Sequence, residues 1–278
     1  MTANGVDFAY LSEGPDDGPL ALLLHGFPDT AWTWRHLAPA LAEAGYRAVA
    51  PFMRGYAPTA VPADGRYQTG ALAADAHALW SALGGRPDAV LIGHDWGAIT
   101  AYGAANLGGV ERWRRVVTMA VPPPSVLGGL FMSYDQLRRS WYMFFFQHPL
   151  AEALVAMNDL DFVARLWADW SPGFDGSADV QRVREALGVP EHLAAALGYY
   201  RAMLGGVADP ALADEQAATS SNPAQPLLYL HGADDGCLGL ELAVGGWPAT
   251  VVVKDAGHFL QVEQPDEVNR LVLEFLAG

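Results

Sequence analysis

Apolar residues in the first part of the chain gather in short blocks between clusters of turn residues. Leu20–Leu24 and Ala89–Gly93 are nearly unbroken apolar runs, as in strands buried on both faces. Val6–Ser12 alternates like a half-buried strand, and Gly14-Pro15-Asp16-Asp17-Gly18-Pro19 then forces a reversal. Arg47–Ala50 and Val116–Ala120 read as further strands, the second ended by Pro122-Pro123-Pro124. Between these blocks the spacing becomes helical: Trp34–Ala44 up to Gly45, Thr69–Leu83 up to Gly84-Gly85, and Gly97 to about Asn106. Such strand–helix alternation predicts an α/β fold with a mostly parallel, doubly wound sheet.

The pattern changes at about residue 125. From there to about residue 215 the spacing is helical and rich in aromatics, with no convincing buried strand. Strands return at Leu227–His231 and Thr250–Val253, and a last helix, Asp266–Leu276, is opened by Pro265. The expectation is a core domain made of residues 1–124 and 216–278, interrupted by an inserted helical domain of residues 125–215.

Composition narrows the function by exclusion. A hydrophobic share of 51% against 17% charged residues supplies a large core and rules out disorder. A net charge of −15 argues against nucleic acid or an anionic membrane surface as partner. The single cysteine, Cys237, excludes an intrachain disulfide framework and a multi-cysteine zinc site. The first residues show neither a basic nor an apolar signal region, and no apolar run approaches the roughly 18 residues of a membrane span. A cytoplasmic, globular protein is expected.

The strongest chemical signal is Gly93-His94-Asp95-Trp96-Gly97, set between a buried strand and a helix. Small residues two positions either side of the tip let strand and helix approach, and expose the tip side chain beside a helix N-terminus. Serine is the usual tip residue of this turn, and here it is Asp95. A carboxylate needs no base to attack, so Asp95 suits nucleophilic attack on an sp³ carbon, giving an alkyl ester that water must then hydrolyse. The second step needs a general base. His258, in Asp255-Ala256-Gly257-His258-Phe259, fits, and the order nucleophile, acid, histidine is the one this turn predicts. Asp235 is the candidate to orient the imidazole, with Asp234 as its rival, since spacing alone does not separate neighbours. His25-Gly26-Phe27-Pro28 follows the Leu20–Leu24 strand, and the amides of Phe27 and Trp96 are candidates for an oxyanion hole. His25 and His94 read as structural.

Together these motifs resemble the α/β-hydrolase superfamily over essentially the whole chain. The Asp nucleophile resembles that of epoxide hydrolases and of haloalkane or fluoroacetate dehalogenases. Both His25-Gly26-Phe27-Pro28 and Gly93-His94-Asp95-Trp96-Gly97 look like the epoxide hydrolase forms. The resemblance implies that the helical insertion is a cap over the active site carrying two tyrosines that hold the epoxide oxygen. Ser140-Trp141-Tyr142-Met143-Phe144-Phe145-Phe146-Gln147-His148-Pro149 resembles the first cap segment, with Tyr142 at the tyrosine position. Tyr199-Tyr200-Arg201-Ala202-Met203 resembles the second, with Tyr200 before the Arg and Tyr199 as its possible substitute. The chemistry agrees, because an epoxide opens to an alkoxide that needs a proton donor, whereas a halide leaves without one.

The resemblance thus implies an epoxide hydrolase that makes vicinal diols. Asp95, His258 and Asp235 would form its triad, Tyr142 and Tyr200 would be its ring-opening acids, and it would use no cofactor or metal. Trp96, Phe27, Pro28, Trp141 and Phe145 are the expected substrate-binding residues, and the aromatic-rich cap suggests an apolar substrate, aryl epoxides included. The expected partners are a small epoxide and water, with the chain a monomer or homodimer. A dehalogenase with the same triad is the alternative, and a non-catalytic binding protein of the same fold is the alternative of another class. Two departures stand out. Phe52 stands where relatives usually have Asp, and no second Arg precedes Arg66 to grip a fluoroacetate carboxylate, which leaves the role of Arg54 open.

Overall fold

The chain opens with a small hairpin, β1 (Thr2–Ala3) and β2 (Val6–Asp7), turning at Asn4-Gly5. The alternating stretch expected as one strand is therefore split. Phe8 is buried, and the Ala9 amide leaves strand pairing to donate to Thr59 Oγ1 at 3.0 Å. Strand geometry resumes as β3 (Tyr10–Glu13), the antiparallel edge of the main sheet. This computed structural model describes residues 1–205, 209–247 and 249–278.

The main sheet continues with β4 (Leu20–Leu24), β5 (Arg47–Pro51), β6 (Ala89–His94), β7 (Trp113–Met119), β8 (Leu227–Gly232) and β9 (Val251–Val253). Its seven strands run in the order β3-β5-β4-β6-β7-β8-β9, and all but β3 are parallel. Every residue of β4 and β6 is buried, as their unbroken apolar runs require, and the two lie side by side at the centre. From β4 the chain first steps outward to β5 and then returns to the other side of β4 as β6. The strand order reverses at that point, and the crevice at the carboxyl ends of β4 and β6 is where open α/β sheets bind ligands.

The helix expected over Trp34–Ala44 begins later, as a 3₁₀ turn at Ala31–Trp34 followed by α1 (Leu37–Glu43). A helix running from Trp34 would place Pro39 in its second turn, against the carbonyl four residues back; starting at Leu37 puts Pro39 in the first turn, where its missing N–H costs nothing. α2 (Thr69–Ala82) and α3 (Trp96–Gly108) follow, and α3 is buried along most of its length, packed against the sheet and α2.

Between β7 and β8 the described residues are helical. In order they form α4 (Pro124–Leu127), α5 (Tyr134–Arg139), α6 (Trp141–Phe145) and α7 (Ala151–Val155). Then come α8 (Met157–Trp170, with a left-handed turn at Asn158–Leu160), α9 (Ser177–Leu187), α10 (Pro190–Leu204) and α11 (Ala213–Ala218). After β8 come α12 (Leu240–Gly246), α13 (Leu260–Glu263) and α14 (Pro265–Ala277), the last burying Val268, Val272 and Leu276 at helical spacing. Among the described residues no helix is long and apolar enough to cross a membrane.

Candidate active site

Asp95 sits at the tip of the turn from β6 into α3, with φ 52° and ψ −118°. This backbone is strained for a residue with a Cβ, and it holds only because the flanks force it. A Cβ on Gly93 would collide with the carbonyl of Gly97, and one on Gly97 with the carbonyl of Leu24. The turn aims the carboxylate at the loop after β4. There Oδ1 accepts the Phe27 amide at 2.8 Å, and Gly26 passes so close that any side chain on it would overlap the carboxylate. Trp96 is the first residue of α3, so its N–H is one of the first-turn donors without a helical partner.

His258 and Asp235 come from the loops after β9 and β8. His258 Nδ1 lies 3.0 Å from Asp235 Oδ2, and Nε2 lies 3.7 Å from Asp95 Oδ2. Asp235 Oδ1 accepts the amides of Cys237 at 2.7 Å and Leu238 at 2.9 Å, which fixes its rotamer. Burial alone would lower the His258 pKa. The charge of Asp235, its hydrogen bond and the charge of Asp95 outweigh burial and push it up to about 10. For Asp235, burial acts upward, but the charge and hydrogen bond of His258 prevail and hold its pKa below the usual carboxylate value. Asp234 is exposed and turned away, so between the two neighbours only Asp235 meets the imidazole.

Two histidines beside these motifs do other work. His25 Nε2 accepts the Met53 amide at 2.9 Å while Nδ1 meets the Gly26 carbonyl, and burial pushes its pKa down to about 4. His94 Nε2 holds the His258 carbonyl at 2.8 Å, and burial pushes its pKa down to about 3. Both are neutral struts of the loops. Arg54 is a charged strut: it is buried, ion-paired through Nε and Nη2 to Asp75 at 2.5 Å, and donates to the Arg66 carbonyl.

Tyr142 on α6 and Tyr200 on α10 line one cavity with Asp95, Trp96 and Cys237. The Tyr142 hydroxyl lies 3.4 Å from Cys237 Sγ, and the two tyrosine rings meet edge to face at 5.6 Å. Among the described residues the Tyr200 hydroxyl has no hydrogen-bond partner. Burial first, with Cys237 and Asp95 adding to it, raises both phenol pKa values well above 10, so both keep their protons. Tyr199 points elsewhere, donating to the Arg54 carbonyl at 2.8 Å.

Of the residues expected to bind substrate, Trp96 lines the cavity, and Phe27, Pro28, Trp141 and Phe145 do not. The Phe27 ring is consumed in packing against Phe146 and Tyr200, and the Pro28 carbonyl accepts Trp167 Nε1 at 2.8 Å. Trp141 is 47% exposed and packs with Phe145 on Phe162. Apart from Tyr142 and Tyr200, the aromatics of the helical segment are taken up in packing, and the rest of the cavity wall is Trp96, Ser140 and Cys237 with Ile99, Val121, Leu127, Met143, Met203 and Leu238.

Sequence reasoning also missed the residues that hold the loops. The Trp170 carbonyl, at the end of α8, accepts the amides of both His258 and Gly236. Glu263 accepts the amides flanking the histidine, Gly257 at 2.7 Å and Phe259 at 2.9 Å, and the Ser171 hydroxyl at 2.6 Å. The only signal for Glu263 was a carboxylate one short helix away from His258.

A family model for the alpha/beta hydrolase fold matches residues 19–265. Epoxide hydrolase A of Mycobacterium tuberculosis is 31% identical, covering 100% of this chain and 96% of its own length. The AB hydrolase superfamily protein YfhM of Bacillus subtilis is also 31% identical, covering 99% of this chain and 96% of its own length. The solved structure of an epoxide hydrolase from an endophytic Streptomyces superposes with a TM-score of 0.80 at 29% identity, covering 100% of this chain and 94% of that one. An aspartate at the strand–helix turn, an Asp–His pair behind it and full-length relatives of this kind agree: the chain belongs to the α/β-hydrolase family, in its epoxide hydrolase branch.

Proposed function

We propose that the protein hydrolyses epoxides to vicinal diols through a covalent ester on Asp95. One observation carries the reading: a carboxylate and two protonated phenols face one mainly apolar cavity, with an imidazole behind the carboxylate. Asp95 Oδ1 is tied to the Phe27 amide, which leaves Oδ2 to attack an oxirane carbon. As the C–O bond breaks, a phenol, Tyr142 or Tyr200, gives its proton to the leaving oxygen, which would otherwise be an alkoxide. The helices between β7 and β8 act in this reading as a cap domain, since they carry both tyrosines.

Hydrolysis of the ester follows from the charge balance of the site. In the resting site the His258 imidazolium lies between two carboxylates. Ester formation removes the charge of Asp95 and with it part of what holds the proton on the imidazole. That proton restores the phenol, and neutral His258 then takes a proton from the water that attacks the ester carbonyl. Charge develops on Oδ1, where the Phe27 amide already donates and the Trp96 amide is the second donor. Collapse releases the diol and restores the Asp95 carboxylate and the imidazolium, so protons balance over the cycle. Asp235 orients the ring and stabilises its charged form.

Halide release would call for side-chain N–H donors at the leaving group. Among the residues lining the cavity Trp96 alone carries one, beside two phenols. The test is turnover of a panel of epoxides and haloalkanes with diol and halide both measured. Diol from epoxides without halide is expected, and halide release without diol overturns the reading.

A further inference from the structure

The cavity at Asp95 is small, about 40 Å³, and away from the carboxylate and phenols its walls are Trp96, Ser140, Cys237 and a run of aliphatic and Met side chains. Of the aromatic residues of the cap only Tyr142 and Tyr200 line it: Phe145 stacks on Phe162, Phe146 meets Phe27 and Tyr200 edge to face, and Trp167 stacks on Phe259. A second cavity of about 330 Å³ abuts it, and the two share Ile99, Leu127 and Met203 as a common wall. Met203 is 36% exposed, so its flexible, unbranched side chain borders both the buried chamber and the outer one. The outer cavity is mixed in character, lined by Leu212 and Ala202, by Gln68 and the Arg66-paired Asp209, and by Thr69, Gln216 and Thr219. The last three bond to one another, Gln216 Nε2 donating to Thr69 Oγ1 at 2.7 Å and Thr69 Oγ1 meeting Thr219 Oγ1 at 3.0 Å.

We infer that the substrate is a terminal epoxide on a slender, unbranched aliphatic chain, its oxirane seated at Asp95 and its chain passing Ile99, Leu127 and Met203 into the outer cavity. The inference rests on the epoxide hydrolase reading of the same site. An oxirane with one or two methylenes suits the inner chamber, whereas a phenyl ring on the oxirane carbon would have to displace Val121, Leu238 or Met143. Each further methylene is buried against the shared wall, a gain of about two- to fourfold in kcat/KM per methylene until the chain reaches the outer cavity.

The experiment compares kcat/KM for 1,2-epoxybutane, 1,2-epoxyhexane, 1,2-epoxyoctane and styrene oxide, in the wild type and in Met203→Trp and Leu127→Trp. The wild type should gain steadily with chain length and prefer 1,2-epoxyhexane to styrene oxide by at least tenfold. Either Trp variant should lower the ratio of 1,2-epoxyoctane to 1,2-epoxybutane by at least tenfold, since it fills the shared wall. A wild type that prefers styrene oxide, or shows no gain with chain length, overturns the inference and leaves the hydrolase reading standing. An unchanged ratio in both folded Trp variants does the same. Folded wild-type protein that turns over none of the four overturns the hydrolase reading, and this inference with it.

Discussion

His258 Nε2 stands 3.7 Å from Asp95 Oδ2, within ion-pair range but beyond a good hydrogen bond. The imidazole is thus held against Asp235 and merely faces Asp95, and in the proposed reaction this leaves space for water to be activated once Asp95 is esterified. Its pKa of about 10 belongs to a site with both carboxylates charged. Ester formation removes one of them, so the pKa that governs ester hydrolysis must lie lower. Single-turnover hydrolysis of the ester, followed against pH, should rise with an apparent pKa well below 10. A hydrolysis rate that rises only as pH approaches 10 would contradict this coupling.

The two phenols should share one task. Tyr142→Phe and Tyr200→Phe should each slow ring opening by about 10²-fold or less, because the partner still donates. The double variant should lose nearly all activity, by a factor that differs from the product of the singles. Tyr199→Phe is the control. It loses the hydrogen bond to the Arg54 carbonyl, so it should cost roughly 1 kcal/mol of stability and leave ring opening within a few-fold. Pre-steady-state ester formation, with thermal unfolding alongside, separates the two effects.

Glu263 predicts a defect in the second step alone. Glu263→Gln replaces one acceptor with a donor that must face an amide N–H of Gly257 or Phe259, which loosens the loop carrying His258. Stability should fall by about 1–3 kcal/mol. Ester should accumulate in the steady state, because attack by Asp95 does not need His258 and hydrolysis does. Mass spectrometry of the working variant checks this, and a folded variant with wild-type kcat and no accumulated ester would remove Glu263 from the account.

Asp29 is a stability liability with a defined pH window. It is buried at the foot of the loop after β4, and burial first, with Asp179 adding to it, pushes its pKa up to about 7. The unfolded chain ionises this group at about 3.8, so the folded state is increasingly penalised as pH rises from about 4 to 7. Asp29→Asn should therefore stabilise the protein by on the order of 2–4 kcal/mol at pH 8 and by little at pH 4. Denaturant unfolding at both pH values checks it; equal effects at both would assign the change to packing instead.

The parts of this site that could be read in advance are those the backbone dictates. Asp95 needs a strained tip between glycines, and His258 needs a loop after a late strand, so both leave a mark on the residues around them. Asp234 against Asp235, and Tyr199 against Tyr200, depend on which way one side chain points within a loop or around a helix turned by roughly 100° per residue. Only packing decides that, here through the Cys237 and Leu238 amides on Asp235 and the Arg54 carbonyl on Tyr199. The aromatic run from Trp141 to Phe146 misled for a related reason: five neighbouring rings cover every face of a short helix, and of this run only Tyr142 and Met143 line the cavity. Glu263 left almost no trace, because its partners are backbone amides that any sequence supplies. The helix start at Leu37, by contrast, is legible from Pro39, although apolar spacing alone places it at Trp34.

Covalent capture tests the central claim most directly. His258→Gln keeps Asp95, both phenols and the shape of the site, but has no base for hydrolysis. Incubated with 1,2-epoxybutane and with styrene oxide, the folded variant should gain the mass of one epoxide, located on the peptide that carries Asp95, while producing no diol over many turnovers' time. A folded, inactive variant that gains no mass, or gains it on another residue, would contradict nucleophilic attack by Asp95.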